Sequence, residues 1–433
     1  MEKSLFAYLA AWYSAIAKEL TVMVNGKNEN VPLTYLHKKM LKPKLSTDLR
    51  WGSTTVNKSV VSADIVAMDS ELPLKSRPKI ETASGEIPKV GMKYKLTEKQ
   101  MSDFDIMVTK GMPLTEIVTE VFGQTKDAAL GVYERNEFVF LQAASSGRAL
   151  VESVDEDGNN TGLGIRVDFG IKDSHRYSAT TPWSDPKAKI VDDIKGIIKK
   201  AQSERIGFTS VMMDDVTVGY ICENEQIKNN FAFSGGIATV GANVPNLDDE
   251  QLISFFKRKF KLNLIVVDRT ITTEKNGKEY VHTPWEAGMV TFLPSENVGR
   301  LVYGILAEDK RRNAAVMYEK VEYILLKKWH TNEPYSEFTS SQALCLPVID
   351  NAASIFLLDS KVSNVEDEQT EDDAKFDYKG KEYTKQSVVD AIKIVNPTST
   401  VTIASKDSTL VNIINKFNEE QIAVFESNIT EAV

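Results

Sequence analysis

Four histidines, His37, His175, His282 and His330, are the side chains best suited to hold a metal or pass protons near neutral pH. They lie far apart in the chain, and none forms the i, i+4 pair of a helical metal site. Three acidic doublets, Asp192-Asp193, Asp214-Asp215 and Asp248-Asp249, could each bind a cation or act as a carboxylate pair. Two of the three stand near expected helix starts, where negative charge complements the helix dipole, so they read as structural. Gly26-Lys27, Gly277-Lys278 and Gly380-Lys381 lack the upstream glycine and following Ser or Thr of a phosphate loop, and Gly162 and Gly164 have no third glycine and no helix after them. No serine occupies a G-x-S-x-G elbow. Cys222 and Cys345 sit singly inside apolar runs and read as small buried hydrophobes. These patterns assign no catalytic residue, no cofactor and no metal, which by itself is weak evidence against an enzyme.

Composition bounds the remaining choices. With 433 residues the chain can bury a large core, and its length allows two or three domains. Its 42% hydrophobic and 26% charged content is that of an ordinary globular protein. A net charge of -9 argues against a dedicated nucleic-acid binder. No apolar run reaches the roughly 18 residues needed to cross a bilayer, and no membrane partner is expected. Leu5 to Ala17 imitates a targeting signal, but Leu5, Leu9, Trp12 and Ile16 fall on one helical stripe, and Glu2 with Trp12-Tyr13-Ser14 spoils the signal pattern. A packed amphipathic helix is expected there.

The elements that would position any site follow from periodicity. Residues 1–60 form that helix and a polar arm through Lys38, Lys39, Lys42, Pro43 and Lys44, with too little apolar periodicity for a core of its own. Residues 61–96 suit an extended loop turning at Ala83-Ser84-Gly85. Thr97 and Gln100 have capping-box spacing, which starts a helix ending near Gly111. After breaks at Pro113 and Gly123, Ala128, Ala129, Val132, Phe138, Leu141 and Gln142 mark a long helix over about 125–145. A hairpin follows around Asp157-Gly158-Asn159-Asn160. Asp185 is expected to cap a helix with Pro186 at its first position and Ile190, Ile194, Ile197, Ile198 and Ala201 on one face. Leu252, Phe255, Phe256 and Phe260 mark another helix, which leads into a strand at Leu262 to Val267. The acidic run at 366–373 reads as a solvated linker to a small C-terminal α/β domain.

One stretch carries a lineage. Asp268 to Tyr280, Phe292-Leu293-Pro294-Ser295-Glu296-Asn297 and Gly299-Arg300-Leu301-Val302-Tyr303-Gly304 resemble the axial domain of lambda-type major capsid proteins of tailed bacteriophages. A second block, Trp329, Thr331, Glu333-Pro334, Glu337-Phe338-Thr339 and Gln342-Ala343-Leu344, is similar to that family's closing segment. The resemblance covers about residues 50–360.

It implies an α+β chain with the Hong Kong 97-like shell fold. The expected parts are an N-terminal arm (1–60), an extended loop (61–96), a peripheral domain with a spine helix and β-hairpin insertion (97–182), an axial domain (183–330) and a return to the peripheral domain (331–360). An acidic linker (361–374) and an appended domain (375–433) lie outside the resemblance. The implied function is self-assembly into hexamers and pentamers of an icosahedral head around double-stranded DNA, located in the virion capsid and, during assembly, the host cytoplasm. Scaffold, portal and decoration proteins are the further partners the resemblance implies, with packaged DNA touched non-specifically if at all. Arg77, Lys79 and Lys89 on the loop are candidate partners for Glu116 and Glu120 of an adjacent subunit. An encapsulin-type compartment shell shares the implied fold, and an enzyme with its site in 183–330 is the reading from another class.

Overall fold

The computed structural model describes residues 4–5, 10–25, 35–56, 80–111, 113–154, 160–234, 246–275, 278–363, 375–378, 381–396, 407–415 and 417–429. Contacts divide the chain into one unit, Met1–Val362, and a second, Ser363–Val433. The class is α+β.

The first unit opens with helix α1 (Ala10–Val24), a short α2 (Leu36–Met40) and strands β1 (Leu41–Leu45) and β2 (Arg50–Val56). Strands β3 (Ile80–Glu86) and β4 (Lys89–Thr97) lead into α3 (Glu98–Thr109) and the 33-residue α4 (Leu114–Ser146). A hairpin of β5 (Arg148–Val154) and β6 (Asn160–Asp168) follows, then β7 (Arg176–Ala179), α5 (Ile190–Ser203), β8 (Ser210–Asp214), α6 (Asp215–Glu223), α7 (Glu225–Ser234), α8 (Asp249–Lys259) and β9 (Asn263–Val267). The unit ends with a ribbon of β10 (Ile271–Lys275) and β11 (Lys278–His282), then β12 (Met289–Leu293), β13 (Gly299–Gly304), α9 (Ala307–Lys310), β14 (Met317–Val321), β15 (Ile324–Asn332), β16 (Tyr335–Ile349) and β17 (Phe356–Ser363).

Two sheets organise these elements. A five-stranded sheet has the order β7-β17-β12-β8-β9, and β8 and β9 pair in parallel. Its strands alternate cleanly. Val211, Met213, Val290, Phe292, Phe356 and Leu358 pack with α5, α6 and α8, whereas Met212, Met289, Leu293 and Leu357 join the core around α4. Period-two alternation on a sheet buried on both sides is why these strands read as almost continuous apolar runs. The second sheet has the order β1-β13-β16-β15-β14, with β4 also paired to β16. Its inner face meets α4 through buried Ala129, Val132, Tyr133, Phe140 and Leu141. Strands β13 to β16, expected in part within the axial domain, all pair in this sheet, while β17 pairs in the five-stranded one.

Several expected elements stand where periodicity puts them. Thr97 and Gln100 cap α3, with Thr97 N donating to Gln100 Oε1 at 2.9 Å. Asp248 caps α8 in a full capping box with Gln251, and Leu252, Phe255 and Phe256 are buried. The insertion hairpin pairs Arg148 with Asp168 and Ala149 with Val167, its expected turn at 157–159 lying outside the described residues.

Four expectations are corrected. Ala83-Ser84-Gly85 is no turn: β3 runs straight through it and pairs antiparallel with β2. Gly85 lies opposite Trp51, and a Cβ there would come within 2.8 Å of the indole Nε1. The glycine answers a cross-strand aromatic instead of a bend. Gly123 does not break the spine helix, which begins at Leu114, because nothing crowds that position and a helix glycine costs only about 1 kcal/mol.

Asp185 does not start α5. Lys187 N donates to its Oδ1, Asn224 Nδ2 takes the carbonyls of Pro186 and Ala188, and the helix begins at Ile190. The buried face of α1 is Tyr13, Ala17, Leu20 and Val24, one position round from the expected stripe, and Trp12 is 39% exposed.

The second unit holds the β18 (Lys375–Tyr378) and β19 (Lys381–Thr384) hairpin, then α10 (Lys385–Val395), α11 (Asp407–Ile414) and α12 (Glu419–Asn428). Phe376, Val388, Val389, Ala391, Ile392, Leu410, Ile414 and Phe425 form its own small core. The expected linker at 366–373 lies outside the described residues.

Candidate assembly surfaces

Residues capable of chemistry are scattered and already engaged. His37 Nδ1 lies 2.5 Å from Glu137 Oε2, His175 Nε2 lies 2.9 Å from Glu204 Oε2 and stacks on Phe356, and His330 Nε2 lies 3.1 Å from Asn332. His282 stands on the exposed β11. Each acidic doublet flanks a helix start: Asp193 accepts from Thr180 and Trp183, Asp192 from Gln226, and Asp214 from Thr217. No group of three or more His, Cys, Asp or Glu among the described residues could hold a metal ion. Burial pushes the Cys222 thiol up to about 11, helped by Asp249 and Asp248, and burial alone pushes Cys345 up to about 12. Both thiols are therefore protonated and inert near neutral pH.

The arm is held by carboxylates of the spine helix. Glu137 is fully buried on α4 and accepts from Leu36 N and His37 N, both at 2.9 Å, as well as facing the His37 ring. One turn earlier, Glu134 Oε1 accepts from Tyr35 at 2.9 Å and Arg269 at 2.5 Å, with the Arg269 guanidinium over the Tyr35 ring. Lys38 reaches Glu322, which also accepts from Tyr133. Beyond this clamp β1 runs parallel to β13 as an edge strand, and Lys42, Pro43, Lys44 and Leu45 are exposed. The polar arm thus lies on a surface built by later residues, as its lack of apolar periodicity requires.

At the start of the chain, Ser4 Oγ donates to Glu337 on β16, where Lys328 of β15 is also buried and donates to Thr339 at 3.0 Å. Burial lowers the Lys328 amine to about 8 against the pull of Glu337. Lys328 is not flagged by a sequence motif, whereas Glu337 belongs to the second resemblance block. A lysine between Leu326 and His330 on the inward positions of a strand was the available signal.

Two ribbons, β2–β3 and β10–β11, pair with no third strand among the described residues. The β2–β3 ribbon carries the segment that contains Arg77 and Lys79, both outside the described residues. The β10–β11 ribbon has every described residue of β11 exposed, with Tyr280 at 47% and Val281 at 69%. Isolated two-stranded ribbons are marginal in water, so both call for a neighbour. Lys89 is exposed at the start of β4, opposite Leu344, and Glu116 is exposed in the first turn of α4. Glu120 is on the same helix, its side chain outside the described residues. Lys89 and Glu116 form no ion pair with each other within the subunit.

Between β4, α4 and β10 runs a groove of 760 Å³. Six consecutive residues of β4, Val90 to Lys95, form one wall and Ile271 to Glu274 of β10 the other. Its floor is one face of the spine helix, with Leu130, Gly131 and Phe138.

No family model matches the chain, and no curated protein matches it. Among solved structures it is similar to a prophage protein of E. coli CFT073 described as its capsid protein, at 12% identity and a TM-score of 0.46, covering 79% of this chain and 98% of that one. It is also similar to the virus-like particle of Pyrococcus furiosus, at 9% identity and a TM-score of 0.38, covering 80% and 96%. The mature capsid of bacteriophage PhiM1 is similar at 11% identity and a TM-score of 0.40, covering 76% and 87%.

Proposed function

We propose that this chain is a phage major capsid protein of the Hong Kong 97-like type, assembling into hexamers and pentamers of a closed head around double-stranded DNA. The observation that carries the reading is the order of its parts. A strapped arm, a two-stranded ribbon, a 33-residue spine helix on a sheet and a separate five-stranded sheet follow one another as the lambda-type resemblance implies. The two sequence blocks behind that resemblance build β10 to β13 and β15 to β16, which link the two sheets. Rings need heterologous contacts, and ribbons without a core of their own supply one half of such a contact.

In this reading Arg77, Lys79 and Lys89 meet Glu116 and Glu120 of the next subunit, and the second unit is a surface knob dispensable for closure. Scaffold, portal and decoration proteins are the further partners, and the acidic chain touches DNA without gluing to it. A compartment shell enclosing protein cargo is the reading a missing terminase or portal neighbour would favour. Negative-stain electron microscopy of the purified chain tests the proposal: closed, uniform shells support it, and a chain that stays monomeric with scaffold and portal supplied contradicts it.

A further inference from the structure

The net charge of -9 conceals a segregation of charge around the five-stranded sheet. Helices α5 and α8 pack on the same face of that sheet, and each leads into a strand of it, α5 into β8 and α8 into β9. Strands β8 and β9 are parallel neighbours with Ser210 opposite Asn263, so both helices end at one edge of the sheet. Asn263 N donates to Thr209 O at 2.9 Å, which ties the two helix-to-strand turns together there. The end of α5 and its turn carry exposed Lys199, Lys200 and Arg205. The end of α8 and its turn carry exposed Lys257, Arg258, Lys259 and Lys261. Within 199–209, 257–263 and 294–298 the acids are Glu204, which meets His175 and Lys172, and Glu296, which accepts from Asn263. Lys199, Lys257, Arg258 and Lys261 form no ion pair with another described residue.

A helix dipole accounts for a cation in the last turn. Two positions go further. Arg205 and Lys261 take the left-handed backbone just past their helices, with φ 62 and 60, where glycine is the usual residue. Both turns thus hold a long cationic side chain where glycine would cost the backbone less. The opposite edge of the sheet is acidic, but its carboxylates are engaged within the chain: Asp193 by Thr180 and Trp183, Asp214 by Thr217, and Asp248 by Gln251 N. That argues against a second copy as the counter-charge and for an external polyanion.

We infer that this basic edge binds the phosphate backbone of duplex DNA without reading its sequence. The inference rests on the reading of a shell that encloses DNA. Lysine and arginine contacts to phosphate position a duplex but carry no base information. An edge of this size engages about four phosphates, a weak contact that salt dissolves, as a lining that touches DNA without gluing to it requires.

The test uses the full chain, dilute and unassembled, and fluorescence anisotropy of a labelled duplex of about 24 base pairs and arbitrary sequence. Affinity should fall about 100-fold between about 50 and 200 mM salt, and equally for a second duplex of different sequence. Arg205→Gly with Lys261→Gly removes two charges while relaxing the backbone. That variant should keep the urea midpoint of the wild type or exceed it, lose at least about fivefold in affinity, and show a salt slope shallower by roughly 2. Lys278→Gln with Lys310→Gln, two exposed cations elsewhere, should leave affinity within about twofold of wild type. Equal affinity for wild type and the double glycine variant overturns the assignment. So does a chain that binds polyglutamate and not the duplex, since the partner is then an acidic protein. Shells that form from a chain with no affinity for the duplex would sink the inference and leave the capsid reading standing, and duplex binding without shells would do the reverse.

Discussion

Glu137 and His37 meet at 2.5 Å with both side chains fully buried, so the arm is fastened to the spine helix through a hydrogen-bonded pair sealed from water. Removing one partner of a buried hydrogen bond typically costs about 1 to 3 kcal/mol, because the survivor is left unsatisfied. His37→Ala should lower the urea midpoint accordingly and speed amide exchange in β1 before other strands of the sheet. An unchanged midpoint would mean that the arm contributes nothing to the fold.

Lys328 gives a pH signature. Its amine sits near 8 when folded and near 10.5 when free, so between those values the unfolded chain binds more protons and stability rises with pH. The charged form is the costly one, by on the order of 3 kcal/mol at neutral pH. Wild type should therefore gain stability from pH 8 to 9.5 relative to Lys328→Met, which lacks this titration. Buried tyrosines and thiols pull the other way but are common to both proteins. Parallel pH profiles of the urea midpoint would contradict the assignment.

Gly147 closes the spine helix with φ +77, and a Cβ there would come within 2.8 Å of Ile171 and 3.1 Å of Arg176. Both the left-handed backbone and the crowding penalise a side chain. Gly147→Ala should cost about 1 to 3 kcal/mol, whereas Gly123→Ala in the same helix, with open space around it, should stabilise by up to about 1 kcal/mol. Chemical denaturation of the two variants side by side decides it.

Reversing Arg77 and Lys79 together to glutamate should reduce particle yield and salt resistance if the loop meets acidic residues of the next subunit. Glu116→Lys in that background should recover part of the loss. Equal yields for wild type and the loop variant would remove the contact from consideration.

The spine helix, the insertion hairpin, α8 and the β10–β11 ribbon were legible because each carries its own periodicity or turn chemistry. Other residues have a meaning that is tertiary, which the sequence alone does not carry. Gly85 looks like a turn until Trp51 is placed opposite it, and Trp12 looks like core until Tyr13 is seen to take the inward position. The arm's clamp was invisible, since Glu137 and His37 are separated by a hundred residues and neither belongs to a motif.

Truncation tests the second unit. Strand β17 extends to Ser363 and pairs with β12, so the cut belongs after that residue. The unit has its own core, and its removal should leave particles of normal diameter that lack only surface density. Failure to assemble would make it part of the shell.

The most direct measurement of the central claim is a cryo-electron microscopy reconstruction of the chain expressed with its neighbouring reading frames. The account predicts closed icosahedral particles built of five- and six-fold rings, with the 33-residue spine helix resolved in every subunit. Monomers, or open aggregates without rings, under the same conditions would contradict it.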